Sequence, residues 1–318
     1  MDSTQPTRAE LIDPASIASL GRIEIVARWV VDGFLAGLHR SPRKGFSVEF
    51  AEYRPYMPGD DLRYIDWKVV ARADRWMIKQ FEEETNTRAA LVLDVSKSMD
   101  WTGNPLRLTK LRYAEQVVAA VALLFIRQRD AVGLIRYDDQ LRTVIPPRAR
   151  SIQWMRIIRG LEQPGSGKDS RMADAVVQAA KLVRRPGFVL LVSDLLIDRD
   201  EIENALRAVR GAGHQLIVLH IMDPLERDLD MAGEAVFTDT ETTLAIPATI
   251  ADVRNAYRKT VETAIEEWRS MLASLGAAYE VITTDTPFGV PLRRALAATV
   301  PMEIPTQTRT DHESLPAR

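Results

Sequence analysis

Between residues 16 and 39 apolar side chains recur three or four apart: Ile17, Leu20, Ile23, Val26, Val30, Phe34 and Leu38. A helix needs that period to gather its apolar residues on one face. Ser41-Pro42-Arg43-Lys44-Gly45 ends the run with residues that break helices. The period then drops to two over Phe46–Phe50, which predicts a short strand. Met57-Pro58-Gly59-Asp60 predicts a turn. Residues 61–72 predict a second helix, with Leu62, Ile65, Trp67 and Val69 as its apolar members.

From residue 87 the pattern changes. Ala89–Val95 is a nearly continuous apolar run that stops at polar residues, as a strand buried on both faces does. Beyond it, predicted helices 105–127, 152–161, 172–183, 200–210, 250–275 and 292–298 are interleaved with predicted strands 131–137, 141–145, 188–193, 215–222 and 279–284. Residues 234–246 read as a hairpin insertion. Strands alternating with helices imply an α/β fold, with a mainly parallel sheet and helices on both faces. Strands 131–137 and 141–145 are joined only by Asp138-Asp139-Gln140, which predicts one antiparallel edge. The expected organisation is a smaller helical and β N-terminal unit over 1–85, the α/β domain over 86–300, and a polar tail over 301–318.

Composition narrows the function. Lysine plus arginine number 42 and acidic residues 44, a formal net charge of -2. That balance, with scattered aromatics, gives no support for a nucleic-acid surface, which needs a basic stripe with stacking rings. There is no cysteine. Disulfides, thiolate metal ligands and cysteine nucleophiles are therefore excluded, and a reducing compartment fits. The polar start Met1–Pro14 is unlike a signal peptide. No stretch approaches the roughly 18 apolar residues of a membrane-spanning helix, so a cytoplasmic location is expected.

In an open parallel sheet ligands bind beyond the carboxyl ends of the strands. Three such places carry oxygen donors: Asp94-Val95-Ser96-Lys97-Ser98, Lys168-Asp169-Ser170-Arg171-Met172, and Asp194 after strand 188–193. The Asp-x-Ser-x-Ser triplet alone arises by chance in roughly one in ten chains of this length. On the plain reading Asp94 ends a strand and Ser98 or Asp100 caps the next helix. Its position after the first buried strand, with Ser170 and Asp194 at two further loops, favours a metal site instead. Carboxylates and hydroxyls suit Mg²⁺ or Mn²⁺. So few anionic ligands leave a position open for an incoming carboxylate. The expected metal set is Asp94, Ser96, Ser98, Ser170 and Asp194.

Leu91-Val92-Leu93-Asp94-Val95-Ser96-Lys97-Ser98-Met99 resembles the metal-ion-dependent adhesion site of von Willebrand factor A domains. Ser170, Met172, Ala175 and Val176 fit that family's second element, with serine in place of threonine, and Asp194 fits its third. The resemblance implies a von Willebrand factor A-like fold. Upstream, Glu49–Tyr56, Pro58–Lys68 and Ala71-Arg72 resemble domain-of-unknown-function family 58. That resemblance implies a partner, a MoxR-type AAA+ ATPase, and a chaperone or assembly role toward an unknown client protein. It also places the chain with the relatives that lack N-terminal membrane helices.

Within the upstream segment Arg54, Tyr56, Asp60, Asp61, Arg63, Asp66, Trp67 and Arg72 mix both charge signs with aromatic rings. They read either as a docking surface for the ATPase or as an ion-pair and aromatic cluster packing the N-terminal unit. His214 and His220 read as structural, Trp29, Trp154 and Trp268 as core, and Trp101 as a rim to the metal loop.

The expected function is a non-enzymatic, metal-dependent interaction module. The rival is a Mg²⁺-dependent phosphohydrolase built on the Asp94 loop. A haloacid-dehalogenase-type enzyme needs a second aspartate two residues on as general acid, where this chain has Ser96. A Walker-type phosphate loop is also absent from the sequence.

Overall fold

The computed structural model describes residues 23–38, 53–55, 76–79, 87–165, 167, 170–238, 245–287 and 289–297. The predicted strand 46–50, turn 57–60 and helix 61–72 lie outside them, as does the tail.

The N-terminal part contributes helix α1 (Ile23–Leu38) and two short antiparallel strands, β1 (Tyr53–Pro55) and β2 (Met77–Lys79), which the sequence pattern did not predict. The central sheet holds β3 (Arg88–Asp94), β4 (Ala131–Tyr137), β5 (Leu141–Arg148), β6 (Phe188–Ser193), β7 (Gln215–Met222) and β10 (Ala278–Thr283). Its helices are α2 (Lys110–Arg127), α3 (Ile152–Leu161), α4 (Met172–Val183), α5 (Arg199–Gly211), α6 (Pro224–Asp228), α7 (Ile250–Ser274) and α8 (Gly289–Ala297). A separate hairpin is formed by β8 (Glu234–Thr238) and β9 (Ala245–Thr249).

Across the sheet the order is β10-β7-β6-β3-β4-β5, parallel except for β5. The α/β class and the single antiparallel edge are therefore those the pattern predicts. Counted within the sheet, the order is 3-2-1-4-5-6, which reverses direction at β3. Chain connections leave to opposite sides there, opening a crevice between the carboxyl ends of β3 and β6.

Alternation along β3 sorts the core into two layers. Ala89, Leu91 and Leu93 join a cluster with α2 and with Val26, Ala27 and Val31 of α1. Ala90 and Val92 join another with α4, α5 and α7. Each of these fully buried leucines and valines contributes about 1.5–3 kcal/mol relative to exposure. The α2 helix is sandwiched, so it is apolar nearly all round: Val117–Ala122 are all at 0–1% exposure.

Two boundaries and one element differ from the pattern for identifiable reasons. The helix expected over 105–127 starts at Lys110, because Thr109 accepts the Arg112 amide on its side chain and caps it. The strand expected over 141–145 continues through Pro146-Pro147 to Arg148. An edge strand has one side without ladder bonds, so proline is tolerated there. Helix α6 was not expected. Asp223 forms a capping box with Glu226 and opens it with proline at its first turn.

Candidate functional site

The crevice between β3 and β6 is where Asp94 and Asp194 meet. Asp94 is the last residue of β3 and is 1% exposed. Its Oδ1 accepts the Ser96 amide at 2.9 Å. Its Oδ2 accepts the Ser193 hydroxyl at 2.8 Å and the Tyr137 hydroxyl at 3.2 Å. The carboxylate is thus held by the ends of three adjacent strands. Burial, and after it the charge of Asp194, push the Asp94 carboxyl up to about 6; the Ser96 and Ser193 hydrogen bonds pull the other way. Burial also drives the Tyr137 phenol well above its ordinary range, with Asp94 adding to it, so Tyr137 stays a donor.

Ser96 turns the chain into a short 3₁₀ segment, Lys97–Met99, and makes no capping bond with its side chain. The cap of the following α-helix is Thr109, not Ser98 or Asp100. The Ser96 and Ser98 hydroxyls lie 3.1 Å apart. Adjacent ligands of an octahedral Mg²⁺ at 2.0–2.1 Å sit about 2.9 Å apart, so these two oxygens match one edge of that shell.

Ser170 lies half-buried on a loop that is stitched to the Asp94 loop. Gly167 accepts the Lys97 amide at 3.0 Å, and the Arg171 amide donates to the Asp138 carbonyl at 2.7 Å. Asp138, at the end of β4 and fully buried, accepts the Gly167 amide at 2.9 Å and the Gln140 amide at 3.1 Å. Arg142 Nε donates to both of its oxygens, at 2.7 and 2.6 Å. Those bonds hold the Asp138 carboxyl below the ordinary range against its burial. Gly167 has no room for a side chain: a Cβ there would stand 2.4 Å from Asp138 Cγ.

Asp194 follows β6 and is 4% exposed. The chain then bends through Leu195, whose φ of 52° is rare for a residue with a side chain, and its amide ties back to Ser193 Oγ at 2.9 Å. Opposite Asp194 stands a cation the sequence did not point to. Lys110, fully buried at the start of α2, donates to Asp194 Oδ2 at 2.9 Å and to Glu226 Oε1 at 2.6 Å. Burial alone would lower the Lys110 ammonium; Asp194 and Glu226 outweigh it and hold it above its ordinary value. Burial still pushes the Glu226 carboxyl up although Lys110 pulls it down, so the triad is only partly compensated. The Trp101 ring, 38% exposed, lies 6.0 Å from the same ammonium and rims the site.

Among the described residues no group of three or more histidines, aspartates and glutamates could hold a metal. The oxygens gathered here come from two carboxylates and serine hydroxyls. His220 pairs its Nδ1 with the Tyr279 hydroxyl at 2.7 Å, and burial lowers it to about 4, so it is neutral and structural. Trp154 and Trp268 are buried. Of the expected docking residues, Arg54 lies in β1, and Tyr56, Asp60, Asp61, Arg63, Asp66, Trp67 and Arg72 lie outside the described residues.

Sequence reasoning missed Lys110, Glu226, Ser193, Tyr137 and Asp138. The last three sit at or beside strand ends, where strand-end inspection reaches them. Glu226 carries a capping-box signal in Asp223-Pro224-Leu225-Glu226. Lys110 has no local signal, because only the fold brings it to Asp194.

No helix among the described residues is long and apolar enough to cross a membrane. An uncharacterized protein of Mycobacterium tuberculosis and one of Mycobacterium bovis are each 29% identical over 237 residues, 74% of this chain and 74% of the relative. Among solved structures, BatB from Bacteroides thetaiotaomicron is 14% identical with a TM-score of 0.40, covering 67% of this chain and 98% of that one. The SpRpn10 VWA domain is 12% identical with a TM-score of 0.34, covering 43% of this chain and 76% of that domain. A family model described as protein of unknown function DUF58 matches residues 52–267, well over half of the 318 residues, and the chain belongs to that family.

Proposed function

We propose that this protein is a non-enzymatic interaction module in which Asp94, Ser96, Ser98, Ser170 and Asp194 hold Mg²⁺ or Mn²⁺, and a partner's carboxylate completes the metal's shell. The observation that carries this reading is the Asp94 carboxyl, buried beside Asp194 and raised to about 6. Two carboxylates sharing a crevice favour a divalent cation, which would offset both charges at once. The 3.1 Å spacing of the Ser96 and Ser98 hydroxyls supports the fit. Asp94, with both oxygens already accepting, suits contact through a bound water better than direct ligation. When bound, the metal supplies a Lewis-acidic position for an anionic side chain.

The same geometry disfavours the phosphohydrolase. A nucleophilic aspartate must present a free oxygen in line with phosphorus, whereas Asp94 is 1% exposed with both oxygens engaged. Ser96 occupies the position where a general acid would stand. The working partners we infer are a MoxR-type AAA+ ATPase and a client protein, with this chain as adaptor or co-chaperone; that rests on the family resemblance of residues 49–72.

The test is calorimetric titration with MgCl₂ and MnCl₂, followed by affinity capture of the ATPase. The native protein is expected to bind metal and Asp94→Ala to lose it. Full-strength metal binding by Asp94→Ala would overturn the assignment. Equal capture of the ATPase by both proteins would move the metal's role to the client.

A further inference from the structure

At the opposite end of the sheet lies a cleft of about 760 Å³ whose lining includes Arg88, Arg129, Arg148, Arg150 and Arg185 and, among the described residues, no carboxylate. The topology collects them. Arg88 opens β3, Arg148 closes the antiparallel β5, Arg129 precedes β4, and Arg185 stands on the turn before β6. All therefore lie at the amino ends of the parallel strands. Seven residues of β3 separate this cleft from Asp94, about 20 Å at strand rise. We infer that this arginine-lined cleft is a second binding site, for a carboxylate-rich segment of a partner protein.

Charge is the first argument. The chain is close to neutral, at -2, yet five guanidinium groups line one cleft. Elsewhere arginines such as Arg112, Arg142, Arg199 and Arg294 face carboxylates within 3.0 Å. Among the described residues Arg88, Arg148, Arg150 and Arg185 take part in no salt bridge; Arg88 makes only a long 3.5 Å bond to the Pro147 carbonyl. Asp130, next to Arg129 in the chain, is turned inward and accepts the Thr87 amide at 3.0 Å. Helix α3 starts two residues after Arg150, so the positive end of its dipole lies at the same rim, with the Gln153 amide donating to the Arg150 carbonyl at 2.8 Å.

Chemistry then selects the ligand. All the cations are arginines, whose planar forks match carboxylate oxygens two at a time. The remaining described residues that line it are threonine, alanine and proline, with no aromatic ring among them on which a base could stack. The cleft is also far larger than one compact anion. A run of acidic side chains on an extended backbone uses both its size and its distributed charge.

The experiment is fluorescence anisotropy with a labelled octaglutamate peptide, titrated with the full chain at low and physiological salt. The native protein is expected to bind, more weakly as salt rises. The double variant Arg148→Glu/Arg150→Glu changes two exposed positions, and its affinity is expected to fall at least tenfold while its melting point and Mg²⁺ response stay native. Arg185→Glu is the second probe, with the same expectation. Equal peptide binding by native and both variants would overturn the proposal. Tighter binding of an oligonucleotide of equal charge would overturn it in favour of a phosphate ligand. Glu82, Glu83 and Glu84 precede Thr87 by only three to five residues. Peptide binding seen only after all three become glutamine would overturn the external partner in favour of the chain's own segment.

Discussion

Replacing Lys110 with methionine tests the electrostatics of the crevice that holds Asp94 and Asp194. Methionine keeps an unbranched stem in the apolar start of α2 and removes only the ammonium. Asp194 then loses a 2.9 Å partner and Glu226 a 2.6 Å partner, with Lys110 at 0% and Asp194 at 4% exposure. Removing one member of a buried pair costs about 3–5 kcal/mol, because the remaining charge stays buried without compensation. Glu226 is 26% exposed and can recover some hydration, and its carboxyl is raised even with Lys110 present. Both facts place the cost at the lower end, about 3 kcal/mol. For a domain of this size that is a fall in Tm of roughly 6–12 °C. The metal arm has the opposite sign. Without the ammonium, Asp94 and Asp194 face each other uncompensated, so Mg²⁺ should bind more tightly to Lys110→Met than to the native chain. At a hundredfold excess over Kd, binding restores about 2.7 kcal/mol, most of the loss. The assay is thermal unfolding in chelator and in MgCl₂ at matched ionic strength. A metal-free variant melting within 2 °C of native, estimated from the same scaling, would refute the reasoning. So would a larger Mg²⁺ shift in the native protein than in the variant.

Asp94, raised to about 6 from 3.8, makes the metal-free protein pH-sensitive. Between those values the native state holds a proton that the unfolded chain has released, so stability falls as pH rises and the full cost, up to about 3 kcal/mol, is present above pH 6. Asp94→Asn should therefore melt higher than native at pH 8 without metal and equally at low pH; Asp130, also raised to about 6 by burial, keeps its own share of the slope in both proteins. A native melting point that climbs between pH 5 and 8 in chelator contradicts this. Asp138→Ala frees the Gly167 amide and Arg142, and should weaken Mg²⁺ affinity by about tenfold by loosening the Ser170 loop; calorimetry showing native affinity would separate the loop from the metal. Arg136 is fully buried with Nε, Nη1 and Nη2 lacking hydrogen-bond partners, and a Glu115 carboxylate oxygen lies 4.0 Å from its Nη2. Glu115 keeps Arg112 at 3.0 Å when Arg136 is removed, so Arg136→Met should change stability by no more than about 1 kcal/mol in urea unfolding, and a loss of about 3 kcal/mol or more would show that the Glu115 pairing matters to the fold.

Much of the architecture was legible in the pattern because buried strands and sandwiched helices leave strong local signals. The run Ala89–Val95, the period in 172–183 and the alternation of strand with helix each follow from burial of particular faces. Weak elements escaped. Strands β1 and β2 are three residues each, too short for any period to register, and α6 is a single turn defined by its cap. The strand expected over 141–145 runs on through Pro146-Pro147, because an edge strand does not need those amides. Asp94, Ser96, Ser98, Ser170 and Asp194 were legible as candidates because they stand on the loops beyond strand ends, where ligands bind in such sheets. Lys110 and Glu226 were not, because they lie 84 residues before and 32 residues after Asp194, and no local rule couples such distances.

The sequence by itself determined the long strands and helices of the central sheet, the faces they bury, and which oxygen-bearing residues stand at their strand ends. Those are local consequences of side-chain period and backbone chemistry. Only the tertiary structure decided the charge balance. The reversal of strand order at β3 set Asp94 against Asp194. The crossing of α2 beneath it supplied Lys110 as an internal counter-ion. The antiparallel β5 carried Arg148 back to Arg88, making a basic cleft in a chain of nearly neutral total charge. Coulomb interactions depend on distance through space and on burial, and neither is set until the chain has closed its sheet.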